Sequence, residues 1–175
     1  IVLIGREDAV RPLLPTIGFA PDAFEFVPAS QVIDMGEHPT KAFQQKQDSS
    51  IAVGYRLLHS GVVEAFCSAG STGAMLVGAM FTVKPVAGVL RPAIANFVPK
   101  LNGQFGILLD VGANAECKPE MLEQFGELGS LYAQYVLGIK HPLVGLMNLG
   151  EEEGKGSELV RAAAVLLADS GLNFV

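Results

Sequence analysis

An α/β fold, with a mostly parallel sheet in a three-layer arrangement, is what this sequence predicts, and three observations predict it. Short apolar runs ending in glycine or a polar turn alternate with segments of helical spacing along the chain. Several of those runs are apolar without alternation, the pattern of strands buried on both faces. Three of them pass directly into small, polar, glycine-containing segments at 68–73, 110–114 and 148–156, where such sheets bind ligands.

The elements follow in order. Residues 1–4 form the first strand, closed by Gly5. A helix over 7–14 is stopped by Pro15, and 24–27 is the next strand. Residues 39–47 are polar and helical in composition, with Lys41 and Lys46 exposed. Ser49 and Ser50 offer caps for a helix with Ile51, Tyr55 and Leu58 on one side, ended by Gly61. Residues 62–66 read as a short buried strand, and 75–81, apolar all round, as a buried helix. The proline-punctuated stretch 85–100 holds strands at 86–90 and 93–98, and 106–110 is another. Pro119 suits a helix first turn. That helix sets Met121, Leu122, Phe125, Leu128, Leu131, Tyr132 and Tyr135 on one face. Residues 143–149 form a strand, Ser157 caps a last helix reaching Ser170, and Gly171 ends it. Without repeats, low-complexity stretches or a linker, the expected organisation is a single domain over 1–175. The chain opens on a strand without methionine and stops at 173–175 on the start of another, so a fragment of a longer protein, truncated at both ends, is expected.

Composition bounds the function. With 50% hydrophobic and 17% charged residues the chain is globular, and a net charge of −6 argues against a general nucleic-acid binder. Two cysteines make neither a disulfide framework nor a zinc motif, so a reducing cytoplasm is the expected setting. No signal peptide is visible, and the longest apolar run, 73–83, is too short to span a bilayer. Charge is uneven, however. No acidic residue lies between Glu64 and Asp110, whereas Lys84, Arg91 and Lys100 do, leaving a basic centre that would dock an anionic ligand or an acidic partner.

The turn Ser68-Ala69-Gly70-Ser71-Thr72-Gly73 sits between a strand and a helix, where unpaired backbone N–H groups and the helix dipole favour an anion. Ser71 and Thr72 add hydroxyls, and Gly70 and Gly73 allow close approach. No Gly-Lys-Ser/Thr follows, so it is not a P-loop; the alternative is a capped turn without a ligand. Arg91 could clamp a phosphate or make a surface ion pair. Lys155 could reach a phosphate or an oxyanion, or balance Glu151, Glu152 and Glu153. Asn114 could donate to an oxyanion or cap the following segment, and Asp110 is read as holding its turn rather than as a base. His38, His59 and His141 have no metal spacing and read as structural. Cys67 reads as a buried small hydrophobe and Cys117 as a passive loop thiol.

Ser-Ala-Gly-Ser-Thr-Gly-Ala at 68–74, Arg-Pro-Ala at 91–93, Asp-Val-Gly-Ala-Asn at 110–114, Lys-Pro-Glu at 118–120, and Asn-Leu-Gly-Glu-Glu at 148–152 with Lys155-Gly156 stand in one order. Together, with Met-Gly-Glu-His-Pro at 35–39 and the 46–51 segment, they closely resemble the PlsX family of bacterial acyl-acyl-carrier-protein:phosphate acyltransferases. The family usually has asparagine where this chain has Ser71, and its members begin upstream and continue beyond Val175. The resemblance implies a fold like that of isocitrate and isopropylmalate dehydrogenases and phosphate acetyltransferases. It also implies a cytoplasmic homodimer, peripherally associated with the membrane through parts outside this chain. The implied reaction passes a long-chain acyl group from acyl carrier protein to inorganic phosphate, without cofactor or metal, giving an acyl phosphate for phospholipid synthesis.

On that reading phosphate is held at Ser68, Gly70, Ser71, Thr72, Gly73 and Arg91, and attacks the thioester directly. Asn114, Asn148 and Lys155 serve the developing charge. The alternatives are a short-chain enzyme using coenzyme A thioesters and a non-catalytic scaffold that binds acyl carrier protein through the basic segment. A metal-dependent dehydrogenase lacks the aspartate cluster it would need.

Overall fold

The computed structural model describes residues 1–150, 152 and 154–175. Its contacts divide the chain into two compact units, Ile1–Pro85 and Val86–Val175, each a mixture of helices and short strands.

In the first unit, strand β1 (Val2–Gly5) pairs in parallel with β2 (Glu25–Pro28), with Leu3 opposite Phe26. The helix expected over 7–14 is split. A single α turn, α1 (Glu7–Val10), tightens into a 3₁₀ stretch (Arg11–Ile17), because Pro12 and Pro15 lack the N–H that an α-helix needs. Helix α2 (Pro39–Gln45) starts on its proline, and α3 (Ser50–His59) is capped by Ser49, whose hydroxyl accepts from Ala52 N at 3.3 Å. Helix α4 (Thr72–Gly78) runs on into a π turn (Ala79–Val83).

The core of this unit is Ile33, Phe43, Ile51, Tyr55 and Ala74 with their neighbours. Tyr55 stacks edge-on to Phe43 and Phe66, and the rings lie against bare glycine backbone. A Cβ on Gly54 would come within 2.3 Å of Phe66, and one on Gly78 within 2.3 Å of Tyr55. Those glycines are there for packing.

Residues 62–66, expected as a strand, form no ladder. They line a cavity of about 780 Å³ together with residues 1–4, so the run lies alongside β1 without reaching hydrogen-bonding distance. Cys67 is exposed rather than buried, a correction that follows from the same gap.

In the second unit, β3 (Asn96–Pro99) and β4 (Phe105–Leu108) form an antiparallel hairpin, with Phe97 opposite Ile107. A mostly parallel sheet was expected here; the short turn between the two runs makes an antiparallel return the only local solution. Residues 86–90 form no strand. Gln124 pins them instead, accepting from Leu90 N and donating to Gly88 O, both at 2.9 Å. The 143–149 strand shrinks to one parallel bridge, Val144 to Phe174. A cavity of about 160 Å³ separates β4 from 142–145.

Helix α5 (Pro119–Tyr135) packs against α6 (Glu158–Asp169), burying Met121, Phe125, Ala163 and Leu167. The expected core face of α5 holds only at its start, since Leu131, Tyr132 and Tyr135 are exposed. Ser157 caps α6 as expected, accepting from Val160 N at 3.3 Å.

Candidate active site

In the first unit, Ser71 is the N-cap of α4. Its oxygen accepts from Ala74 N at 3.3 Å and the residue is only 4% exposed, so the hydroxyl is committed to the helix. Ser68 Oγ accepts from Gly70 N at 3.1 Å and shapes the approach to the cap. The N–H groups of Thr72 and Gly73 find no acceptor among the described residues, and Thr72 is exposed. Gly73 also has a packing reason, because a Cβ there would stand 2.5 Å from Pro39 of α2. Tyr55 donates to Met75 O at 2.8 Å and ties α3 to α4 behind the turn.

In the second unit, Asp110 gathers N–H donors. Its Oδ1 accepts from Ile94 N at 2.9 Å, Ala113 N at 3.1 Å and Gly112 N at 3.3 Å. Its Oδ2 accepts from Asn114 N at 2.7 Å and Asn114 Nδ2 at 2.9 Å. Partial burial raises the pKa, but the N–H groups of Ile94, Ala113 and Asn114 together outweigh it and hold the carboxyl below its ordinary range. The hydrogen bonds from Gly112, Ala113 and Asn114 make this carboxylate a holder of its turn, the role the sequence reading favoured. The Asn114 amide also donates to Pro92 O at 2.9 Å, so both its hydrogens are engaged and neither is left for the oxyanion role expected of it. Cys117 is pushed up, first by burial and then by the Asp110 charge, so Lys118 beside it does not activate it.

Arg91 stands exposed just before Pro92, and its guanidinium has no ion pair or hydrogen bond among the described residues. Asn148 braces the 148–156 loop: its Nδ2 donates to Lys155 O at 3.2 Å and its Oδ1 accepts from Leu149 N at 2.8 Å. Gly156, at φ +88°, makes room for that amide, since a Cβ would meet Asn148 Oδ1 at 2.2 Å. Lys155 is exposed. Two of its three suggested carboxylate partners, Glu151 and Glu153, lie outside the described residues. Asn148, Lys155, Glu152 and Arg161 line a groove of about 990 Å³ together with apolar residues such as Val160, Val165 and Phe174. Arg161 escaped the sequence reading. Its guanidinium donates to Gly156 O at 3.1 Å and Gly154 O at 3.3 Å, closing the loop onto α6. Only an arginine in the first turn after a glycine-rich loop could have hinted at this.

The model of the family described as "Fatty acid synthesis protein" matches residues 1–175. The chain belongs to that family, the PlsX family. Relatives named phosphate acyltransferase agree with it along its whole length. That of Heliobacterium modesticaldum is 46% identical over 176 residues and that of Desulfitobacterium hafniense strain Y51 43% over 175. The chain covers 52% of each, so it spans about half the length of these family members. Among solved structures, a phosphotransacetylase from Streptococcus pyogenes superposes with TM-score 0.64 at 14% identity, covering 98% of this chain and 58% of that one. The EutD phosphotransacetylase of Staphylococcus aureus gives 0.61 at 18%, covering 99% and 58%. These two likenesses are of fold. Among the described residues no helix is long and apolar enough to cross a membrane.

Proposed function

We propose that the chain takes part in moving a long-chain fatty acyl group from the thioester of acyl carrier protein to inorganic phosphate. The observation that carries this reading is 46% identity over the whole chain to a relative named phosphate acyltransferase. A phosphate oxygen attacks the thioester carbonyl carbon and the C–O bond forms. The tetrahedral oxyanion then collapses, the C–S bond breaks, and the proton of hydrogen phosphate ends on the leaving thiolate. The products are an acyl phosphate and a free thiol. A thiolate leaves readily, so binding anions and positioning reactants is most of what the protein supplies.

The proposal assigns anion binding to the turn Ser68, Gly70, Ser71, Thr72 and Gly73 in the first unit. Independently, it assigns anion binding to Arg91 in the second. The N–H groups of Thr72 and Gly73 and the guanidinium of Arg91, which have no partner among the described residues, support these roles. Asn148 and Lys155 are assigned to the developing oxyanion, and no metal or cofactor enters the step. Acyl carrier protein, itself acidic in this reading, is assigned the exposed cations of the basic segment, Lys84 in the first unit and, independently, Arg91 and Lys100 in the second. The complete protein is proposed to be a cytoplasmic homodimer that associates peripherally with the membrane, with the three-layer fold of the isocitrate and isopropylmalate dehydrogenases.

Thiol release from palmitoyl-acyl carrier protein tests the reading: it should occur only with phosphate present and saturate with it. Arg91→Ala should raise the phosphate KM roughly tenfold, the cost of one charge-assisted contact. Unchanged phosphate dependence takes Arg91 out of the site. The phosphotransacetylase titles favour one second reading, a short-chain donor on coenzyme A, and faster release from acetyl-coenzyme A than from the palmitoyl carrier would select it. Binding of carrier protein without thiol release would instead mark a scaffold.

A further inference from the structure

We infer that Asp110 and Asn114 form a clasp whose task is to position Arg91 for an oxyanion ligand; the identity of that ligand as phosphate rests on the function proposed above. A carboxylate that only shaped its own turn would need the N–H groups that follow it, those of Gly112 and Ala113. Asp110 reaches further. It accepts from Ile94 N, 16 residues upstream, at 2.9 Å. Through the Asn114 amide, which it orients at 2.9 Å, it also holds Pro92 O, at 2.9 Å from Asn114 Nδ2. Val111 N donates to Ile94 O at 3.1 Å and completes the set. Three hydrogen bonds thus fix residues 92–94 to the 110–114 turn, and the proline ring fixes its own φ.

The residue just before this pinned segment is Arg91. Its backbone leads into a rigid anchor while its guanidinium has no partner among the described residues. A cation without a partner among the described residues, mounted on a segment secured from a distance, is arranged for a ligand. Anchoring the backbone lowers the ordering cost of each guanidinium contact, and thereby improves ligand binding without touching the ligand. Asp110 and Asn114 are therefore positioning residues. Neither has a free group to offer the reaction: the carboxylate is surrounded by five N–H donors and both amide hydrogens are used.

A double-mutant cycle on this chain tests the clasp. Asn114→Ala should raise the phosphate KM roughly tenfold while kcat stays within about twofold, since it loosens the mount and not the chemistry. In an Arg91→Ala background the same change should add almost nothing. Equal effects in both backgrounds would overturn the inference, because Asn114 would then act on something other than Arg91. If the unaltered chain shows no phosphate-dependent thiol release, the proposed reaction fails and the clasp is read by NMR instead. Inorganic phosphate should shift the Arg91 Nε–H signal in the unaltered chain and much less in Asn114→Ala. No shift in the unaltered chain, or an identical shift in both, would overturn it.

Discussion

Lys84 is the one non-glycine residue at positive φ among those described, at φ 71° and ψ 145°, where the π turn ends against Pro85. An L side chain there crowds its own carbonyl, and a following proline narrows the choices further. Strain of this kind costs about 1–3 kcal/mol, and glycine relieves most of it. Lys84→Gly should therefore raise the thermal midpoint by a few degrees, whereas Lys84→Ala should not. Equal midpoints for the glycine and alanine variants in a melting experiment would show that the strain is not there. If Lys84 also helps to dock acyl carrier protein, the glycine variant gains stability while losing carrier affinity, a split that a purely structural lysine would not give.

Helix α4 depends on its cap more than most helices do, because it is short and its first turn is the proposed anion site. Ser71→Ala removes the acceptor for Ala74 N and should cost about 1 kcal/mol of stability, with weaker phosphate dependence because the first turn frays. A lower melting temperature with the phosphate KM unmoved would leave Ser71 with structure alone. Helix starts of this kind were legible in the sequence because they are local: Ser49, Ser157 and Pro119 each stand where the helices begin. Strands were not. An apolar run at 62–66 or 86–90 reports burial, while a ladder needs a partner at the right distance, and the cavity beside β1 shows that partner missing. The site divides in the same way. The Asp110 turn could be read from five consecutive residues, but its hold on Pro92 and Ile94, like the grip of Arg161 on Gly154 and Gly156, depends on pairings no local pattern encodes.

Across the whole molecule, the titrating groups set opposite limits on stability in pH. Glu37 is held below its ordinary range by its hydrogen bond to Lys46, Asp48 by those from the Ser30 hydroxyl and N–H, and Asp110 by the N–H donors that outweigh its partial burial. A carboxyl lowered in the folded state contributes stability above its unfolded pKa, about 4, and loses it as pH falls through the lower folded value. The acid limb therefore draws on both units, Glu37 and Asp48 in the first and Asp110 in the second. Tyr55 works the other way: burial raises its phenol, so its contribution is complete below the unfolded pKa of about 10 and is lost as pH rises through the folded value. Tyr55 sits in the core of the first unit, against Phe43 and Phe66, so alkali should loosen that unit first. Hydrogen exchange above pH 10 should show α3 and α4 opening before α5 and α6. Tyr55→Phe gives up the bond to Met75 O, costing about 1 kcal/mol at neutral pH, yet should remove much of the alkaline loss because nothing in that core is left to ionise. An alkaline limb of the same steepness in Tyr55→Phe would mean that the loss comes from elsewhere than this phenol.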